Sequence, residues 1–110
     1  MRRVHVYRAV LVRDAPDDAT LGVVFPELPG CVSAGDDVDD AVRMAHEALA
    51  LHLTGMNADG EALPEAMAHD APLPRWLVED GPVIEVGRVP VKVDVIVKAM
   101  PTRQAGLIRP

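Results

Sequence analysis

The sequence predicts an α+β domain in which an antiparallel three-stranded meander is followed by one main helix and further C-terminal strands. The chain has 110 residues, enough for one domain. Hydrophobic residues make up 49% of it and aromatic residues only 3%, so the core is expected to be aliphatic. Valine occurs 17 times, and a β-branched residue in that number favours a sheet. A segment near the middle of the chain has the apolar spacing of an amphipathic helix.

Three segments in the first third of the chain predict the meander. Residues 1–12 alternate between two partly apolar faces and form the first strand. Residues 14–19 are rich in Asp and Pro, which favour a turn, and residues 20–25 form the second strand. A Pro-Glu-Leu-Pro-Gly segment then interrupts sheet pairing because its prolines lack amide donors. Residues 31–34 follow as a short third strand.

The main helix is predicted to begin after Asp37, which is a favourable N-cap residue. It ends either at Gly55 or within residues 57–60, where Asn and Gly are frequent. One face is apolar and is expected to pack on the sheet. The residues of this face are Val38, Ala41, Val42, Ala45, Leu49, His52, Leu53 and Met56.

The back of this helix combines a charged ridge with a second apolar strip, a pattern typical of a helix that has contacts on both sides. The strip is either a surface for a partner or the place where the chain's own loop around Trp76 and Leu77 packs. The ridge contains Asp40, Arg43, Glu47 and Thr54, and the strip contains Met44, Ala48 and Leu51.

The last third of the chain predicts a loop and two strand segments. Residues 58–82 are loop-like, with one helical turn over 75–79. Residues 83–86 form a strand that Gly87 breaks or bends, and residues 89–97 carry Val at every odd position, a strong strand pattern.

The predicted domain covers residues 1–98. Residues 99–110 contain two prolines and show no periodicity. We expect them to form a flexible tail.

The charge of the chain is unevenly distributed. The net charge is −6 and the pI about 5.0, which disfavours nucleic-acid binding through phosphate neutralisation. Residues 14–70 carry −12, whereas residues 1–13 and 86–110 carry +4 each. An acidic middle of this kind steers a basic partner to one face, unless it is only a solvated surface around an acidic helix.

Several classes of protein are disfavoured. No apolar run approaches the roughly 20 residues that span a bilayer, and the N-terminus lacks the apolar stretch of a signal peptide. A single cysteine fits a reducing cytoplasm. We therefore expect a cytoplasmic protein without membrane contact.

No set of residues predicts catalysis, a metal site or a cofactor. Cys31 has no neighbouring base in the sequence and is expected to be a small buried residue. His46 and His52 are six residues apart, which does not place them on one helix face as a metal pair. An enzyme using Cys31 or the acidic cluster at the helix start is the weakest interpretation.

The chain resembles the HicB antitoxin family over roughly residues 1–97. The resemblance implies a partial ribonuclease H fold without catalytic residues. The motifs that carry it are Phe25-Pro-Glu-Leu-Pro-Gly-Cys31, Ser33-Ala-Gly-Asp36, Ala45-His-Glu-Ala-Leu49, Asn57-Ala-Asp-Gly-Glu61 and Leu63-Pro-Glu65.

The resemblance also implies a partner and a site. Family members bind a small basic HicA toxin, an mRNA-cleaving enzyme that uses a histidine, and block its active surface. We expect the back of the main helix to be this surface, with Glu47 as the first candidate to cover the toxin histidine. The predicted partner-binding residues are Asp40, Arg43, Met44, Glu47 and Leu51.

Many relatives also carry a C-terminal DNA-binding element that begins with an alternating strand. Residues 91–97 resemble that strand, but only thirteen residues follow, too few for its two helices. Lys92, Asp94 and Ile96 would face away from the valines, and an aspartate with an isoleucine reads base edges poorly. Binding of DNA by this chain is therefore doubtful.

The C-terminal valine strand instead pairs across a dimer or completes the sheet. An open hydrophobic edge favours a homodimer or higher homo-oligomer. The alternative function is an orphan module of the same fold, a homo-oligomeric binding or scaffold protein without a toxin. A loop that covers Met44 and Leu51 would favour this alternative.

Overall fold

The computed structural model describes residues 2–79 and 84–96. The predicted tail at 99–110 and the predicted strand ends Val83 and Val97 lie outside these ranges. The described elements are β1 (Arg2–Arg13), β2 (Leu21–Val24), β3 (Val32–Gly35), α1 (Val38–Ala58), α2 (Arg75–Val78) and β4 (Ile84–Ile96).

The four strands form one antiparallel sheet in the order β3-β2-β1-β4. The predicted α+β class and the meander of β1, β2 and β3 are confirmed. The third strand begins at Val32 instead of Cys31. β1 is the longest central strand and pairs with β4 along its whole length.

The two predicted C-terminal strand segments form one strand, β4. Leu11 of β1 lies opposite Gly87, and the next residue, Val12, lies opposite Glu85. Val86 is therefore the extra residue of a β-bulge, which bends a strand and increases its twist without ending it. The valine-rich half of β4 completes the sheet at its edge.

Helix α1 packs on one face of the sheet. Its N-cap Asp37 accepts a hydrogen bond from the backbone N–H of Asp40, and the helix ends at Ala58, the later of the two predicted ends. No described helix is long and apolar enough to cross a membrane. The α1 residues that are fully buried are Ala41, Ala45, Leu49 and Leu53.

The buried face of α1 is narrower than predicted. Val38 is exposed, and Val42, His52 and Met56 are half-buried. Val38, in the first turn of α1, is not among the residues that pack against the core cluster. The residues that α1 covers in the sheet include Tyr7, Leu21, Val23, Phe25 and Val91.

A close contact connects β3 to the start of α1. A Cβ atom on Gly35 would lie 2.3 Å from the backbone nitrogen of Ala41 and 2.5 Å from its Cα. Only glycine permits this approach. Gly35 therefore sets the spacing between the edge strand β3 and the helix, which together form the site described below.

The segment after α1 passes from one face of the sheet to the other. The Tyr7 hydroxyl, on the helix side, donates a hydrogen bond to the carbonyl of Pro64. The Arg8 guanidinium, on the opposite side, donates to the carbonyls of Ala71 and Pro72. Residues 64–72 therefore cover part of the outer face, where Arg8 is buried.

A buried ion pair supports this crossing. Arg8 Nε lies 3.5 Å from the Glu27 carboxylate, and their side chains are 1% and 3% exposed. The same carboxylate accepts a hydrogen bond of 3.1 Å from the backbone N–H of Met67. Glu27 thus connects β1, the turn after β2 and the crossing segment.

Candidate functional site

An open groove lies between the edge strand β3 and the back of α1. Its volume is about 620 Å³. The β3–α1 groove is lined mainly by apolar side chains and by one carboxylate at its rim. The lining residues are Ser33, Met44, Glu47, Ala48, Ala50, Leu51 and Thr54.

The residues at the floor of the groove pack against the hydrophobic core. Ala48 and Ala50 are half-buried and pack against the core cluster, and the Cys31 thiol contacts the carbonyl oxygen of Ala48 at 3.7 Å. A smaller depression of about 220 Å³ shares Ala48 and Leu51 and extends the groove towards Gly30 and His52. The apolar surface is therefore continuous along the β3 edge.

One large apolar side chain of this surface is strongly exposed. Leu51 is 77% exposed. All residues that line the groove come from β3 and α1, and none of the described residues around Trp76 is among them. The predicted alternative, in which the chain's own loop covers the strip, is therefore not seen in the described part of the chain.

The charged ridge runs along the same helix. Arg43 Nη1 donates a hydrogen bond of 3.1 Å to Glu47 Oε2, and Arg43 Nη2 contacts the Asp40 carboxylate. The N–H of Asp36 donates a 2.9 Å hydrogen bond to Asp40. This bond, with the Arg43 guanidinium, lowers the pKa of Asp40 from its ordinary value. Arg43 is thus held between two carboxylates, and the ridge keeps a net negative charge.

The structure brings together three of the five predicted partner-binding residues in the groove. Met44, Glu47 and Leu51 line it, whereas Asp40 and Arg43 lie on the ridge outside its lining. Sequence reasoning missed Ser33, because helical periodicity does not show which strand lies beside a helix. The Ser33-Ala-Gly-Asp36 motif was the available signal, since it directly precedes the helix.

The described residues do not assemble a catalytic set. Burial raises the pKa of the Cys31 thiol to about 11, so the thiol is protonated and a poor nucleophile at neutral pH. His46 and His52 lie on different sides of α1: His46 Nδ1 is bonded to the carbonyl of Val42, and His52 lines the smaller depression. No group of three potential metal ligands occurs among the described residues. The groove itself offers apolar side chains and one carboxylate as contacts.

Comparison with protein families and curated sequences gives two matches. A model of the HicB-like antitoxin of bacterial toxin–antitoxin systems matches residues 7–79. An uncharacterized 14.9 kDa protein encoded in the rep-hol intergenic region of Haemophilus phage HP1 (strain HP1c1) is 46% identical over 44 residues. That match covers 40% of this chain and 33% of the phage protein, so it spans one third of the relative's length.

Two solved structures share the fold. A chain of a toxin–antitoxin complex from Streptococcus pneumoniae superposes with a TM-score of 0.64 and 20% identity, covering 98% of this chain and 82% of that chain. A chain of the HicA3 and HicB3 toxin–antitoxin complex gives a TM-score of 0.55 and 18% identity, covering 86% of this chain and 99% of that chain.

Proposed function

The chain belongs to the HicB-like antitoxin family, and we propose that it is a non-catalytic cytoplasmic antitoxin that binds a small basic HicA-type toxin and masks its mRNA-cleaving surface. The observation that carries the proposal is the β3–α1 groove, an apolar surface with a carboxylate at its rim, which none of the other described elements lines. Both superposed structures are toxin–antitoxin complexes, which supports a toxin as the partner.

The apolar part of the groove supplies contact area. Leu51 projects from α1 into solvent, and burial of this exposed side chain on binding is favourable. Large apolar residues near the centre of an interface commonly carry much of its binding energy. Leu51 is therefore the apolar anchor of the proposed interface, with Met44 and Ala48 around it.

The acidic ridge supplies charge complementarity. Residues 14–70 carry −12 and attract a basic toxin, and two of these carboxylates, Asp40 and Glu47, lie on the ridge beside the groove. Arg43 contacts Glu47 through Oε2, which holds the carboxylate beside the groove. A catalytic histidine of the toxin, protonated or donating its ring N–H, is the group that Glu47 would cover.

The orphan alternative, a homo-oligomeric module without a toxin, would be favoured by a groove that the chain covers itself. Leu51 is exposed and Trp76 lies outside the groove lining. This observation supports a partner other than the chain's own loop.

The test compares two charge reversals in matched surroundings. Glu47→Arg places a like charge beside Arg43 at the groove, and Glu79→Arg does the same beside Arg75 on α2, away from the groove. The two carboxylates are similarly exposed, at 63% and 60% of the side chain. Each variant is co-expressed with the short basic protein that the proposal expects to be encoded beside its gene, and affinity is measured by calorimetry.

We expect Glu47→Arg to weaken binding by more than tenfold and Glu79→Arg to leave it unchanged. Leu51→Asp should weaken binding to a similar degree, whereas Val78→Asp, an exposed apolar position on α2, should not. Unchanged affinity for Glu47→Arg and Leu51→Asp would remove the groove from the interface. Failure of the wild-type chain to bind the neighbouring protein or to relieve its toxicity would refute the proposed function.

A further inference from the structure

The outer edge of β3 is an open sheet edge beside the β3–α1 groove. β3 is the last strand in the order β3-β2-β1-β4, and none of the described residues pairs with its outer side. Natural proteins protect such edges with charges, prolines or bulges. The opposite edge strand, β4, contains Pro90, Lys92, Asp94 and a bulge. β3 consists of Val, Ser, Ala and Gly and contains none of these three protections.

The hydrogen bonds of β3 show which of its backbone groups face outward. The N–H of Phe25 donates a 3.3 Å hydrogen bond to the carbonyl of Cys31, which is its partner when the β2–β3 register is continued. Hydrogen-bonded and non-hydrogen-bonded pairs alternate along an antiparallel ladder. Ser33 therefore directs its backbone groups to β2, whereas Val32 and Ala34 direct theirs to the outer edge.

The open edge ends at Asp36. This residue has the same parity as Ala34, and its N–H donates a 2.9 Å hydrogen bond to the Asp40 carboxylate. The outward N–H and C=O groups of Val32 and Ala34 have no such partner among the described residues. These groups are therefore available to an incoming strand.

We infer that the basic toxin of the proposed function adds an extended segment to β3 as a further strand, with an aliphatic side chain in the groove and a basic residue two positions away. The inference rests on the proposed function and states which kind of segment the groove recognises. When a segment joins an open sheet edge, its main-chain hydrogen bonds supply affinity and the pockets for its alternate side chains supply specificity.

The position opposite Ser33 favours the aliphatic residue. Directly opposed residues of neighbouring strands have their side chains on the same face of the sheet, and Ser33 lines the groove. The partner residue opposite Ser33 therefore projects between β3 and α1, where Met44, Ala48 and Leu51 line the same groove. An aliphatic side chain is favourable there, because it is buried against apolar surface and covers the exposed Leu51.

The next position on the helix side favours a basic residue. It lies opposite Gly35, beside Asp36 and the carboxylate of Asp40 that Asp36 contacts. Asp40 and Glu47 both contact Arg43, so this group of three side chains keeps a net negative charge. A lysine or arginine of the partner complements that charge.

The outer face of β3 adds a third determinant. Successive side chains of a strand point to opposite faces, so Val32 lies on the face away from the groove that Ser33 lines. Val32 is 58% exposed. A β-branched or aromatic residue opposite it forms a favourable cross-strand pair. The expected segment therefore combines an apolar residue for each face with one cation on the helix side.

The first experiment measures amide hydrogen exchange of the chain alone and in complex with the short basic protein that the proposed function expects. The N–H groups of Ser33 and Gly35 are bonded to β2 and should exchange slowly in both states. Those of Val32 and Ala34 should exchange at least a hundredfold more slowly in the complex than in the free chain. Protection of both in the free chain would overturn the inference, because another part of the chain or a second copy would already cover the edge.

The second experiment removes one outward donor. Ala34→Pro deletes an N–H that β2 does not use, and a proline is tolerated on an edge strand when its nitrogen faces outward. Asp94→Pro is the matched control on the opposite edge, since Asp94 has the same parity in β4 as the native Pro90. We expect calorimetry to show more than tenfold weaker toxin binding for Ala34→Pro and unchanged binding for Asp94→Pro. Urea denaturation of each free variant reports whether it is folded.

The outcomes separate this inference from the proposed function. If the basic protein does not bind the wild-type chain, both are refuted. If it binds and Leu51→Asp weakens binding, but the Val32 and Ala34 amides exchange as in the free chain, the groove is the interface without strand addition and only this inference is overturned. A folded Ala34→Pro variant with wild-type affinity overturns it in the same way. If that variant does not fold, the exchange of the two amides decides.

Discussion

Removal of the buried charge of Glu27 is expected to destabilise the fold strongly. Glu27→Gln keeps the shape of the side chain and one acceptor oxygen for the Met67 N–H. It leaves the Arg8 guanidinium, which is almost completely buried, without its counter-charge. This substitution therefore tests whether the Arg8–Glu27 pair holds the crossing segment in place.

The magnitude follows from burial and geometry. Removal of one partner of a buried ion pair costs about 3–5 kcal/mol, because the remaining charge is uncompensated. Arg8 keeps its hydrogen bonds to the carbonyls of Ala71 and Pro72, which favours the lower end of that range. We expect a loss of about 3 kcal/mol. For a domain of this size the loss corresponds to a decrease in Tm of roughly 12–24 °C.

The assay is urea denaturation followed by circular dichroism. Glu65→Gln, the same change at an exposed position of the crossing segment, is the matched control and should stay within about 0.5 kcal/mol of the wild type. Replacement of both charges in Arg8→Met/Glu27→Leu should recover most of the loss, since an apolar pair leaves no buried charge. A Glu27→Gln variant that loses less than about 1 kcal/mol would refute the reasoning.

Three further predictions concern two glycines, the Cys31 thiol and the loss of stability at acid pH. Gly35→Ala should destabilise the fold by about 3 kcal/mol or more, because its Cβ would overlap the Ala41 backbone. Gly55→Ala in α1 meets open space and should stabilise by about 0.5–1 kcal/mol; denaturation midpoints measure both. Cys31 should react with a disulfide reagent at pH 8 at least tenfold more slowly in the native than in the unfolded chain, because burial raises its pKa to about 11. The Asp36 N–H and Arg43 lower the pKa of Asp40 in the folded chain below its value in the unfolded chain. The stability that these contacts contribute is therefore complete above the unfolded-state pKa, and it is lost as the pH falls through the folded-state pKa. In an acid titration, Asp40→Asn should therefore lose less stability below about pH 4 than the wild type.

Local hydrophobic periodicity was sufficient to predict most of the helices and strands. The apolar spacing of α1 and the valines at odd positions of β4 predicted a helix and a strand that the structure contains. The bulge at Val86 was not predicted, because it depends on the register of β1 against a strand more than 70 residues away. Val38 was placed in the core because a helical wheel gives the direction of a side chain and not the extent of the surface that the helix packs on.

The site was predicted only in its helical half. Met44, Glu47 and Leu51 share a helix face, which periodicity shows directly. Ser33 comes from a strand whose neighbour is decided by tertiary packing. The Arg8–Glu27 pair was missed for the same reason: neither residue has a sequence pattern that predicts burial, and both are charged.

The pairing of β1 with β4 has a consequence for the order of folding during synthesis. β1 is translated first, and its partner strand β4 follows about 80 residues later in the sequence. Contacts of such long sequence separation make folding slow. Until Val91 and Val93 are translated, Tyr7, Ala9 and Leu11 lack part of their core and the nascent sheet has β1 as an unpaired edge. At about 5–20 residues per second, the ribosome keeps this edge open for several seconds, a period in which the nascent chain depends on chaperones or on its own solubility.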